Sequence, residues 1–137
     1  VTLQTRPVDP RDLFRGDYVV LDYDIGVVET TRADRLSAEP GDTVFVELIQ
    51  SGDQWVAGRV ASHPIEGADR VIRGTVVRAE TNTVHVEYGI EQYFVPEGRG
   101  HVVERAGDVD VVVAIDNDGG AVIRHLIVDG EGWNPHG

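Results

Sequence analysis

The side chains best placed for chemistry stand beside a cluster of aromatic rings. Glu91 and Glu97 flank Tyr93, Phe94 and Pro96. Two carboxylates beside aromatic faces are the raw material of glycoside hydrolysis, which needs an acid and a base or nucleophile at a fixed separation. The sequence sets no such separation. Both residues also have structural uses, and these are the expectation. Glu91 can accept backbone or arginine hydrogen bonds at a chain reversal, and Glu97 suits the N-terminus of a helix. Asp116-Asn117-Asp118-Gly119-Gly120 looks like part of a calcium loop, but Val122, Ile123 and His125 stand where further oxygen ligands belong. A hairpin turn is expected there. The histidines, at 63, 85, 101, 125 and 136, have no metal-ligand spacing, and His85 and His125 read as exposed strand residues. Ser37, Ser51 and Ser62 lie in no nucleophile elbow.

Composition narrows the chemistry further. There is no cysteine, so thiolate catalysis, disulfides and cysteine zinc sites are excluded. All 12 basic residues are arginine, which removes Schiff bases, Ser-Lys dyads and the P-loop lysine. No catalytic set, metal site or cofactor is expected. The formal charge of -12 argues against nucleic acid and against an anionic membrane surface, and in favour of solubility and of cations or basic partners, with simple solvation the expected reading. Arg6, Asp9, Arg11, Asp12, Arg15 and Asp17 alternate in sign over a short span. One reading is a docking patch. The preferred one is an internal network that locks the proline-rich lead-in onto the body of the domain.

The elements that must position these residues are mostly strands. Residues 1–137 are enough for one domain with its own core. After a lead-in over 1–16, Gly16 opens a strand predicted for residues 17 to 26, with Tyr18 and Val20 on one face and Val19, Leu21 and Tyr23 on the other. Thr2 to Thr5 reads as an edge strand. Asp9 to Phe14 reads as one helical turn, with Asp9 capping and Pro10 at the first position. Residues 27 to 42 are irregular, and a mobile loop is expected. Three hairpins follow: Thr43–Ser51 with Gln54–Ala61, Val71–Arg78 with Thr83–Tyr88, and Asp108–Ile115 with Ala121–Asp129. In the last, Val122, Leu126 and Val128 should share a face with Arg124. A helix is predicted from Pro96 to Ala106, ending at Gly107, and residues 130–137 read as a frayed tail. The fold class is mainly β: a small barrel-like or sandwich domain of about seven or eight antiparallel strands with one short helix.

Two segments carry a resemblance. Gly16-Asp17-Tyr18-Val19-Val20-Leu21-Asp22-Tyr23 matches every fixed position of the motif Gly-Asp-Tyr-x-x-Leu-x-Tyr. Tyr88-Gly89-Ile90-Glu91-Gln92-Tyr93-Phe94-Val95-Pro96-Glu97-Gly98 looks like a second hallmark of the same proteins, and the lead-in Pro7 to Asp12 is also similar. On these grounds the chain resembles the GDYxxLxY proteins, a bacterial family of uncharacterised function usually described as membrane-anchored. The sequence opens on Val1 and contains no methionine. The resemblance implies that a membrane anchor precedes residue 1, which places the domain outside the cytoplasm. The expected function is non-enzymatic: an extracytoplasmic domain that binds a protein partner, with a membrane protein among the candidates. The alternative is a small-ligand or hydrolytic site between the first strand and the second hallmark, lined by Tyr18, Tyr23, Tyr88, Glu91, Tyr93 and Glu97.

Overall fold

Val44, Val46 and Leu48 are buried while their neighbours along the strand are not, and this alternation builds the largest hairpin of the molecule. A computed structural model describes residues 1–30, 36, 38–96 and 98–135. The loop expected to be mobile lies partly outside those residues. Among the described residues there are 13 strands. The first five are β1 (Thr2–Arg6), β2 (Phe14–Arg15), β3 (Tyr18–Val20), β4 (Asp22–Tyr23) and β5 (Val27–Glu29). The long hairpins follow as β6 (Thr43–Ser51) with β7 (Gln54–Ala61), and β8 (Arg70–Ala79) with β9 (Thr83–Glu87). Next come β10 (Gln92–Phe94), the helix α1 (His101–Glu104), the pair β11 (Val109–Ile115) and β12 (Ala121–Val128), and finally β13 (Glu131–Trp133).

These strands form three sheets, in the orders β13-β12-β11-β1-β4, β10-β3-β2 and β5-β9-β8-β6-β7. Every pairing is antiparallel. The third sheet curls until its end strands approach each other, so it is barrel-like. Bulges help the curl, because an extra residue increases local twist. Gly58 and Arg59 together oppose Glu47, and Val77 is the extra residue opposite β9. The Arg59 guanidinium grips the Glu47 carboxylate with two bonds of 2.9 Å. Leu3, Val19, Val44, Val46, Val60, Ile72, Val84, Val111 and Leu126 are fully buried, so all three sheets share one core.

The mainly β class and the three long hairpins are as read from the sequence. The strand count is higher because the opening region breaks into pieces of two to five residues. The strand predicted over 17 to 26 stops at Leu21, whose N–H turns to donate to the Glu91 carbonyl (2.8 Å). The chain then changes partners, since β3 pairs with β2 and β10 whereas β4 pairs with β1. A 3-10 turn, Asp24–Gly26, takes up what remained of the predicted strand. The first strand is not an edge. β1 lies between β11 and β4, with Leu3 wholly buried. The predicted helical turn exists as Pro10–Asp12, and the Asp9 carboxylate accepts from the Arg11 N–H (2.9 Å).

Three expectations along the second half are corrected. The helix spans only His101–Glu104, because Gly98 adopts a φ of +83°, which a right-handed helix cannot include. Gly100 cannot carry a side chain either, since a Cβ there would stand 2.7 Å from the Phe14 ring. In β12, Arg124 is an extra residue opposite the Val112–Val113 step, so the alternation flips. Leu126 and Val128 face the core, whereas Val122 is 63% exposed. The tail is ordered as far as the strand Glu131–Trp133, which pairs with β12 after a tight turn at Asp129-Gly130, both at positive φ.

Candidate ligand cleft beside the signature motif

The signature motif is built from a turn, an exposed ring and two buried anchors. Gly16 sits at φ +64° as the first residue of the two-residue turn joining β2 to β3. A residue with a Cβ is strained there, and this hand of turn matches the twist of the paired strands. The Asp17 carbonyl accepts the Val95 N–H (2.9 Å) and so fastens the turn to the second hallmark. Tyr18 points outward, 45% exposed, and its ring meets Phe94 edge-on with centroids 5.7 Å apart. Leu21 and Tyr23 enter the core, 4% and 2% exposed.

Two tyrosines cross-link the motif and the bend that follows β9. The Tyr23 hydroxyl donates to the Ile90 carbonyl (2.6 Å), and the Tyr88 hydroxyl donates to the Ile25 carbonyl (2.6 Å). Burial pushes both hydroxyls far above the ordinary tyrosine range, with the nearby Glu91 charge adding to the effect, so both remain donors. Glu91 shapes the bend itself. Its carboxylate accepts N–H groups from Tyr88 (2.9 Å), Gly89 (2.9 Å) and Ile90 (3.0 Å). Burial raises the Glu91 carboxyl above its usual range, and the charge of Glu87 pushes the same way. The amides of Tyr88 and Gly89 pull against them. Tyr93 is 8% exposed and stands opposite Val19.

The structure therefore brings the two hallmarks together, as the sequence reading required. The chain belongs to the GDYXXLXY protein family. The family model matches residues 1–126 and so takes in both hallmarks. Neither a curated protein nor a solved structure matches the chain. Of the fixed positions in the GDYXXLXY pattern, Gly16, Leu21 and Tyr23 are thus explained by the turn, the core and a buried hydrogen bond. Tyr18 alone presents a ring to solvent.

Beside the GDYXXLXY motif lies an open cleft of about 730 Å³ between the lead-in and the β8–β9 hairpin of the barrel-like sheet. Tyr23 and Glu91 form part of its wall. Tyr18, Tyr88 and Tyr93 do not line it, and Glu97 lies outside the described residues. The rest of its polar lining comes from Asp9, Arg15, Asp22, Arg78, His85, Glu87 and Gln92. Glu80 ties two of these, accepting from Arg78 Nε at 3.3 Å and lying 3.2 Å from His85 Nε2. Val77, the extra residue of β8, and Arg78 both line the cleft. His85, which the sequence reads as an exposed strand residue, is instead partly buried in the cleft wall.

The alternating charges of the lead-in do not form one network. Arg11 pairs locally with Asp9 (3.0 Å), and Arg6 pairs with Asp24 (3.4 Å), a residue outside the predicted set. Asp12, Arg15 and Asp17 make no ion pair among the described residues. The lead-in is held instead by strand pairing and by the Val20 N–H to Leu13 carbonyl bond (2.8 Å). The acidic segment after β11 is a turn, as expected. The Asp116 carboxylate accepts from Asp118 N–H (2.8 Å) and Gly120 N–H (2.9 Å). No group of three or more His, Asp or Glu side chains gathers to hold a metal ion among the described residues.

Proposed function

We propose that this domain is a non-enzymatic interaction module, the extracytoplasmic part of a membrane-anchored bacterial protein. The observation that carries the reading is how the hallmark polar groups are used. Tyr23, Tyr88 and Glu91 spend their hydrogen bonds on the backbone that joins the two hallmarks. A catalytic acid or base must have reach to a substrate proton, and these groups are occupied. Among the described residues no helix is long and apolar enough to cross a membrane. The test is recovery of the full-length protein from membranes in mild detergent. A stable co-purifying protein is the expected result. A wholly soluble, monodisperse product with no partner would defeat the reading.

A second reading has its own observation, the cleft of about 730 Å³ walled by Tyr23 and Glu91. That volume is within the range of small-ligand sites. Thermal-shift measurements with sugars, polyamines and divalent cations decide it, because a ligand that prefers the folded state raises its melting temperature. A saturable shift that disappears in Arg78→Ala supports a ligand site. No shift with any of these probes leaves the interaction module as the sole reading.

A further inference from the structure

The barrel-like sheet stops short of closing. Its end strands, β5 and β7, are joined by no ladder. A cavity of about 320 Å³ lies between them, lined by Val27, Val28 and Glu29 on one side and by residues 54–58 on the other. An edge strand offers a row of unpaired N–H and C=O groups, and here two such rows face one gap. The Thr30 N–H donates to Asn82 (2.9 Å), which fixes the hydrogen-bonding phase of β5 and turns the Glu29 backbone towards the gap. The two-residue turn at Gly52-Asp53 does the same for Trp55 and Ala57 on β7.

The charge around this seam selects an occupant. Asp24 and Glu29 line it. Arg6 approaches Asp24 at 3.4 Å, but both side chains are nearly half exposed, so the pairing is weak. Trp55 and the exposed Val56 supply apolar surface beside these carboxylates.

We infer that the seam between β5 and β7 docks an extended segment of a partner protein that carries arginine or lysine. The segment adds its backbone to an open edge, a recurring mode of peptide recognition. It directs a cationic side chain towards Asp24 and Glu29. The inference rests on the interaction-module reading and names the partner's chemistry.

The test is titration of the whole domain with a capped hexapeptide of alternating valine and arginine, followed by tryptophan fluorescence and amide NMR. Saturable binding that perturbs the amides of residues 27–29 and 54–58 is expected. Binding should weaken about tenfold or more in the double variant Asp24→Asn, Glu29→Gln. It should vanish for a peptide N-methylated at alternate amides and for one with glutamate in place of arginine. Val56→Arg, at an exposed position, should also weaken it and serves if the double variant does not fold. Absence of saturable binding, binding indifferent to N-methylation, or perturbations confined to other strands overturns the inference. A membrane partner recovered equally by wild type and Val56→Arg overturns the seam alone. A full-length protein that recovers no partner overturns the module reading, whatever the peptide does.

Discussion

Glu91 gathers three amide N–H groups onto one carboxylate at the bend after β9. Removing it leaves those donors without their acceptor in a partly buried site. Glu91→Ala should therefore lower stability by about 2 to 3 kcal/mol, measured by urea unfolding. Its protonation carries a sign that can be checked. Burial raises the native proton affinity, so releasing the proton costs the folded state more than the unfolded chain. The contribution of Glu91 is therefore fullest below the unfolded glutamate range, near pH 4, and is lost as the pH rises through the raised native value. Relative to Glu91→Gln, which cannot titrate, the wild type should lose ground as the pH rises above about 4. A gap that widens in the wild type's favour would show that the three amides outweigh burial. Tyr23→Phe and Tyr88→Phe each strip a buried carbonyl of its donor, at an expected cost of about 1 to 2 kcal/mol by the same unfolding assay.

At the scale of elements, the signature region depends on how closely β8 lets the Tyr88 ring approach. Gly74 is buried in β8, and a Cβ there would meet the Val86 side chain, the Glu87 carbonyl at 2.9 Å and Tyr88 Cδ1 at 2.9 Å. Two of those three contacts involve well-packed groups with little room to move. Gly74→Ala should cost about 1 to 3 kcal/mol and lower the melting temperature, as overpacking does. Unchanged stability would mean that the ring can shift without loss. The C-terminal strand offers a second check. β13 covers the open edge of β12, and Trp133 packs against the core. Ending the chain after Gly130 should destabilise the domain by about 2 kcal/mol or more, because it strips apolar cover and exposes a strand edge. A truncated chain with an unaltered melting curve would assign the tail no structural role.

For the whole molecule, the dominant electrostatic fact is excess negative charge. The formal charge is -12. The arginine–carboxylate pairs among the described residues are Arg6–Asp24, Arg11–Asp9, Arg59–Glu47 and Arg78–Glu80, and most of these side chains are well exposed. Exposed pairs contribute little, whereas a net charge of one sign destabilises the compact state through self-repulsion. Sodium chloride screens that repulsion, with a Debye length near 10 Å at about 0.1 M. The melting temperature should rise by a few degrees between very low salt and about 0.15 M. A fall over that range would give the ion pairs the greater weight.

The sequence by itself determined the hairpins and the chemistry the chain lacks. Alternation such as Val44, Val46 and Leu48 against their exposed neighbours reports which face meets water, and glycine and acidic turns report where the chain reverses. Both are local signals. The tertiary structure decided which strands are neighbours and where the long alternations break. Tyr23 reaches a carbonyl 67 residues away, Tyr88 one 63 residues away, and the first strand pairs with residues more than a hundred positions later. The entropic cost of closing such loops grows only slowly with length, so sequence distance leaves little mark on which pairing wins. The break at Leu21 follows from a distant partner, the Glu91 carbonyl, whereas the flipped alternation at Arg124 comes from a bulge within its own hairpin. A period-two pattern records burial but not the neighbour that causes it.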